Sequence, residues 1–124
     1  MNNSTYEITR TKAPHPVIFM GSKFEQIIEK TCEYFQVEAV EIKKPGRLHK
    51  YLYARQIAMC LIVDNCPSLT LKTIGIHFGK KDHTTPIYSR QVVYEKLSSP
   101  WDDVLKTAYL EIIKRLPFEV KKIA

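Results

Sequence analysis

From residue 22 onward, apolar side chains recur at helical spacing, and the breaks between runs divide the chain into helices. The clearest run is 22–35, where Phe24, Ile27, Ile28, Thr31, Cys32 and Phe35 share one face. Ser22 with Glu25 predicts a capping box at its start, each side chain satisfying an orphan backbone donor. A short helix over 38–42 follows, through Val37, Val40 and Ile42. The longest helix is predicted over 51–65, with Ala54, Ile57, Ala58, Leu61 and Ile62 as its buried stripe. Past the turn Cys66-Pro67-Ser68-Leu69, Thr70 caps a short helix whose Leu71, Ile74 and Phe78 lie together. Gly79 suits the left-handed residue that closes it, having no side chain to clash. Asp82 predicts a second cap, with His83, Thr84 and Thr85 opening the next helix and Ile87, Val93, Tyr94 and Leu97 facing the core. The last helix opens at Ser99-Pro100, carries Trp101, Val104, Leu105, Ala108, Ile112 and Leu116, and ends at Pro117.

The reading is an all-α domain over 22–117. A flexible arm over 1–21 precedes it, with an extended piece at Val17-Ile18-Phe19-Met20, and a C-terminal tail over 118–124, frayed at Lys121-Lys122, follows.

Charge adds a direction. Nineteen Lys and Arg against 13 Asp and Glu give a formal net charge of +6. Its placement says more than its total: from Lys43 to Val63 there are Lys43, Lys44, Arg47, Lys50 and Arg55 and no carboxylate. Pro45-Gly46 breaks any helix there, so 43–50 reads as a basic loop. The three cysteines, Cys32, Cys60 and Cys66, contain no Cys-x-x-Cys pair, which fits buried thiols in a reducing compartment. Neither a metal set, a phosphate-cradling glycine loop nor a nucleophile motif is present, so no enzyme, cofactor or metal is expected. No apolar run is long enough to span a bilayer and no signal core is seen, which makes a cytoplasmic protein the expectation.

Two helices joined through Gly79 to Asp82 have the layout of a helix-turn-helix. The second helix presents Lys81, Asp82, His83, Thr84 and Thr85 at its start. Cations, hydrogen-bonding groups and methyl groups are what a major groove displays partners for. The first helix offers Thr70, Leu71 and Lys72 at its N-terminus, where backbone N–H groups and the helix dipole suit a phosphate.

Ile74-Gly75 followed by Phe78-Gly79-Lys80-Lys81-Asp82-His83-Thr84-Thr85 resembles the C-terminal DNA-binding domain of DnaA, the bacterial replication initiator. That family writes the segment Ile-Gly-x-x-Phe-Gly-Gly-Arg-Asp-His-Thr-Thr-Val. Arg55-Gln56-Ile57-Ala58-Met59 is similar to its other hallmark. The resemblance covers about 23–116 and implies a Trp-repressor-like helical fold. It also implies a phosphate contact by Arg55 with Gln56 beside it, and an Arg of the basic loop reaching into the minor groove. Counting back from Arg55, that position falls near His49, flanked by Arg47 and Lys50, so the loop rather than one residue is named. Lys80 stands for the family's second Gly, Lys81 for its Arg and Pro86 for its Val. Lysine keeps the charge but loses the planar fork. Arg90 and Gln91 are further candidates for backbone contact.

The expectation is a stand-alone, sequence-specific double-stranded DNA-binding protein, monomeric and without ATPase activity. It would prefer sites like the initiator's recognition box and serve replication or transcription, alone or with a protein partner, in a chromosome, phage or mobile element. A rival reading keeps the fold but binds a protein through Tyr51, Tyr53 and Tyr88; a third is nonspecific binding through 43–50.

Overall fold

The computed structural model describes residues 20–43, 49–79 and 83–121. Residues 1–19 of the arm expected over 1–21, the heart of the basic loop (Lys44 to Leu48), Lys80-Lys81-Asp82 and residues 122–124 lie outside them. Six helices and no strand are found among the described residues: α1 Ser22–Phe35, α2 Ala39–Ile42, α3 His49–Asn65, α4 Leu71–His77, α5 Thr84–Ser98 and α6 Val104–Arg115.

The fold is built around α3. Every residue from Ala54 to Ile62 is buried, so this helix is enclosed on all sides rather than along one stripe. It packs most extensively against α5 and α1, with α4 bridging it to α5 and α6 closing the far side against α1. Phe24, Ile27, Ile42, Ile74, Phe78, Val93, Leu105 and Ile112 converge on it to form one core. Cys32, Cys60 and Cys66 are free thiols within or against that core. Burial pushes the Cys32 thiol up to about 11, which leaves it protonated and unreactive at neutral pH.

Helix starts depart from the sequence reading where two caps compete. Gly21, at φ 109°, caps α1, and its carbonyl accepts the Glu25 N–H at 3.0 Å, so the Ser22–Glu25 box is not formed. A box forms instead on α2, where the Glu41 carboxylate accepts the Glu38 N–H at 2.8 Å. Val40 is exposed rather than buried. Helix α3 is already helical at His49, two residues before the expected start. Asp103, not Ser99, caps α6: its carboxylate accepts the Leu105 N–H at 2.8 Å and holds Lys96 at 3.1 Å. A carboxylate there also meets the positive end of the helix dipole. Trp101 and Val104 consequently fall outside the buried stripe, at 77 % and 66 % exposed.

The C-terminal tail is tied down at Lys121, contrary to the frayed end expected there. Its N–H donates to the Asn65 side chain at 2.7 Å, and its carbonyl accepts from the same side chain at 3.3 Å.

Candidate nucleic-acid interface

The pair α4–α5 forms the helix-turn-helix. Thr70 caps α4 as expected, its hydroxyl oxygen accepting the Thr73 N–H at 3.1 Å. The helix closes at Phe78, and Gly79 takes φ +78°, the left-handed conformation glycine adopts without strain. Thr70 and Lys72 are exposed at the α4 start, whereas Leu71 is half-buried.

Helix α5 begins at Thr84 with His83 in the cap position, one residue later than a cap at Asp82 implies. That shift accounts for Pro86. It becomes the third helical residue, whose N–H has no intrahelical partner in any α-helix, so the missing donor costs nothing. Pro86, Ser89 and Val93 form the buried face of α5. His83 and Thr84 therefore point outward and Thr85 lies at the boundary.

Between α3 and the start of α5 runs a cleft of about 200 Å³ lined by Leu52, Arg55, Gln56, Met59, Thr85, Tyr88 and Ser89. Arg55 and Gln56 are 6 % and 8 % exposed, so Arg55 is not a loose surface charge. Burial lowers the pKa of its guanidinium from the usual value, yet arginine stays cationic in proteins. Arg55 thus lines the cleft beside Thr85 as a largely buried cation. Lys43, His49 and Lys50 are exposed at the end of α2 and the start of α3. The His49 ring lies 5.6 Å from that of Tyr53.

Two residues have surroundings that the sequence did not show. Arg90, expected at the DNA backbone, donates from Nε to the buried Asp64 carboxylate at 2.8 Å and lies over the Tyr94 ring. The Tyr94 hydroxyl donates to the other Asp64 oxygen. Arg90 thus joins α5 to α3. Conversely, Tyr88 is 62 % exposed on the cleft rim, one turn beyond Thr84 and Thr85. Its spacing of four and three residues from those threonines was the available signal. Of the three tyrosines in the protein-binding reading, Tyr51 and Tyr53 are half-buried against the core, whereas Tyr88 is exposed.

His77 sits inward, its ring 4.6 Å from Phe24 and 5.2 Å from Phe78, both edge-on. Burial, with the nearby Lys43 charge, lowers its pKa to about 4. No group of three or more side chains able to hold a metal occurs among the described residues, and no described helix is long and apolar enough to cross a membrane.

Comparison with known proteins agrees with this geometry. The family model described as the bacterial dnaA protein helix-turn-helix matches residues 24–93. The chromosomal replication initiator protein DnaA of Thermomicrobium roseum is 34% identical over 97 residues, 78% of this chain and 20% of that protein. The same initiator from Chlorobaculum tepidum is 36% identical over 75 residues, 60% of this chain and 15% of its own length. The chain therefore spans about a fifth or less of these relatives. A crystal structure of a DNA replication initiation factor superposes with a TM-score of 0.58 at 29% identity, covering 76% of this chain and 29% of that one. With the family match running from α1 through the first two-thirds of α5, the chain belongs to the helix-turn-helix family of bacterial DnaA, a family of DNA-binding domains from a replication initiator.

Proposed function

We propose that this chain binds double-stranded DNA in a sequence-specific way, reading base edges with the first turn of α5 and gripping the backbone with its basic surfaces. The observation that carries this is the cleft that sets Arg55 and Gln56 beside Thr85, next to exposed His83 and Thr84. A guanidinium that anchors a phosphate there would hold the α5 start in the groove. His83 and the threonine hydroxyls can exchange hydrogen bonds with base edges, and the threonine methyls can meet a thymine methyl. Lys81 and Asp82, at the turn, complete the reading set, while 43–50, Thr70, Lys72 and Lys80 supply backbone contacts. Sites like the initiator's recognition box are the preferred targets. The chain acts as a monomeric regulator of replication or transcription that hydrolyses no ATP itself.

Selection of bound duplexes from a random pool at near-physiological salt tests this. Enrichment of a box-like sequence is expected. Tight binding without enrichment would leave only nonspecific binding, and no binding would favour a protein-interaction module.

A further inference from the structure

Along α5 the exposed residues Thr84, Tyr88, Gln91 and Glu95 form a ridge, spaced four, three and four apart. Pro86, Ser89 and Val93, the buried positions, lie on the opposite side of the helix. A recognition helix enters the major groove by its N-terminal residues. The ridge would therefore meet DNA from Thr84 inward, and the Glu95 carboxylate, which phosphates repel, marks its far limit. Tyr88 is the largest side chain within that stretch.

Tyr88 also differs from the tyrosines that serve the fold. Tyr51 donates its hydroxyl to Glu41 at 3.0 Å, Tyr94 donates to Asp64, and Tyr109 is buried. Tyr88 makes no such bond among the described residues and is exposed. It lines the cleft with Arg55, Gln56 and Thr85, so it adjoins both the buried cation and the first turn of α5. Four residues along a helix advance about 6 Å, and bases follow one another at about 3.4 Å along a strand. With α5 lying along the groove, Tyr88 falls about two base pairs beyond Thr84. A phenol ring brings apolar area and no charge. The apolar feature that a major groove displays is the thymine 5-methyl group, whereas phosphates favour cationic partners.

We propose that Tyr88 is a specificity-determining residue whose ring packs on the 5-methyl of a thymine, about two base pairs along the groove from the contact of Thr84. This rests on the DNA-reading assignment above.

The test removes thymine methyls one at a time. Each thymine of a duplex selected from the random pool is replaced by deoxyuridine, and affinity is measured for the full native chain, Tyr88→Phe, Tyr88→Ala and Thr84→Ala. At one thymine the native chain should lose about fourfold, the worth of one buried methyl-sized group. Tyr88→Phe and Thr84→Ala should sense that same replacement. Tyr88→Ala should bind the intact duplex on the order of tenfold more weakly and be indifferent to it. Each comparison sets two duplexes against one variant, so a change in the folded fraction cancels.

Full sensitivity of Tyr88→Ala to every thymine methyl that the native chain senses overturns the proposal. So does a Tyr88→Phe that behaves as Tyr88→Ala, because the contact would then run through the hydroxyl. In both cases a weakened Thr84→Ala leaves the DNA-reading assignment in place. If no duplex is enriched from the pool, that assignment fails and this proposal falls with it.

Discussion

The two halves of α5 are built on opposite principles. Its first turn has no side-chain cap bond at His83, and His83 and Thr84 face solvent. Its middle is clamped to α3, where Asp64 accepts from both Arg90 and Tyr94. The Asp64 network with buried Ser89 and Val93 fixes the register of α5 away from that first turn. Under the proposed function, stability and recognition would be separable along one helix.

The largest expected effect comes from breaking the clamp. Asp64→Ala would leave the Arg90 guanidinium and the Tyr94 hydroxyl without their shared acceptor, and should cost about 3 kcal/mol of stability by urea unfolding. Thr84→Ala, at the other end, should cost on the order of 1–3 kcal/mol in affinity for a selected duplex, with a smaller loss of stability than Asp64→Ala. If instead both substitutions destabilise equally, the division of α5 is wrong. Removing the α4 cap with Thr70→Ala should lower stability by about 1 kcal/mol, since the Thr73 N–H loses its acceptor.

A further effect appears only in acid. The His77 pKa is lowered to about 4 in the folded chain, so the unfolded chain binds more protons as pH falls below the ordinary histidine value. Stability contributed by the neutral ring is complete above about pH 6.5 and declines toward pH 4. The lowered Asp103 carboxyl titrates below that window. Urea midpoints at pH 7.5 and 5 should differ in the native chain and converge in His77→Gln.

How much of this could be read from the sequence follows the range of the interactions. The bounds of α1, the Thr70 cap and the left-handed Gly79 rest on neighbouring residues, and all are found where the spacing puts them. The starts of α5 and α6 were each misread by local rivalry: His83 against Asp82, Asp103 against Ser99. The pairing of Arg90 with Asp64, 26 residues away, is something no local pattern reveals. For the same reason the sequence showed a stripe on α3 but not the enclosure that buries Arg55 and Gln56. The close approach of the Lys43 carbonyl to Gly79 joins residues far apart in the chain and was visible only in three dimensions.

The most direct test of the central claim is equilibrium competition between the selected duplex and a scrambled one of equal length, at fixed near-physiological salt, for the native chain and His83→Ala. The account predicts that the native chain favours the selected duplex, and that His83→Ala loses about tenfold or more on it while binding the scrambled duplex almost as before. Equal losses on both duplexes would contradict base reading by the first turn of α5.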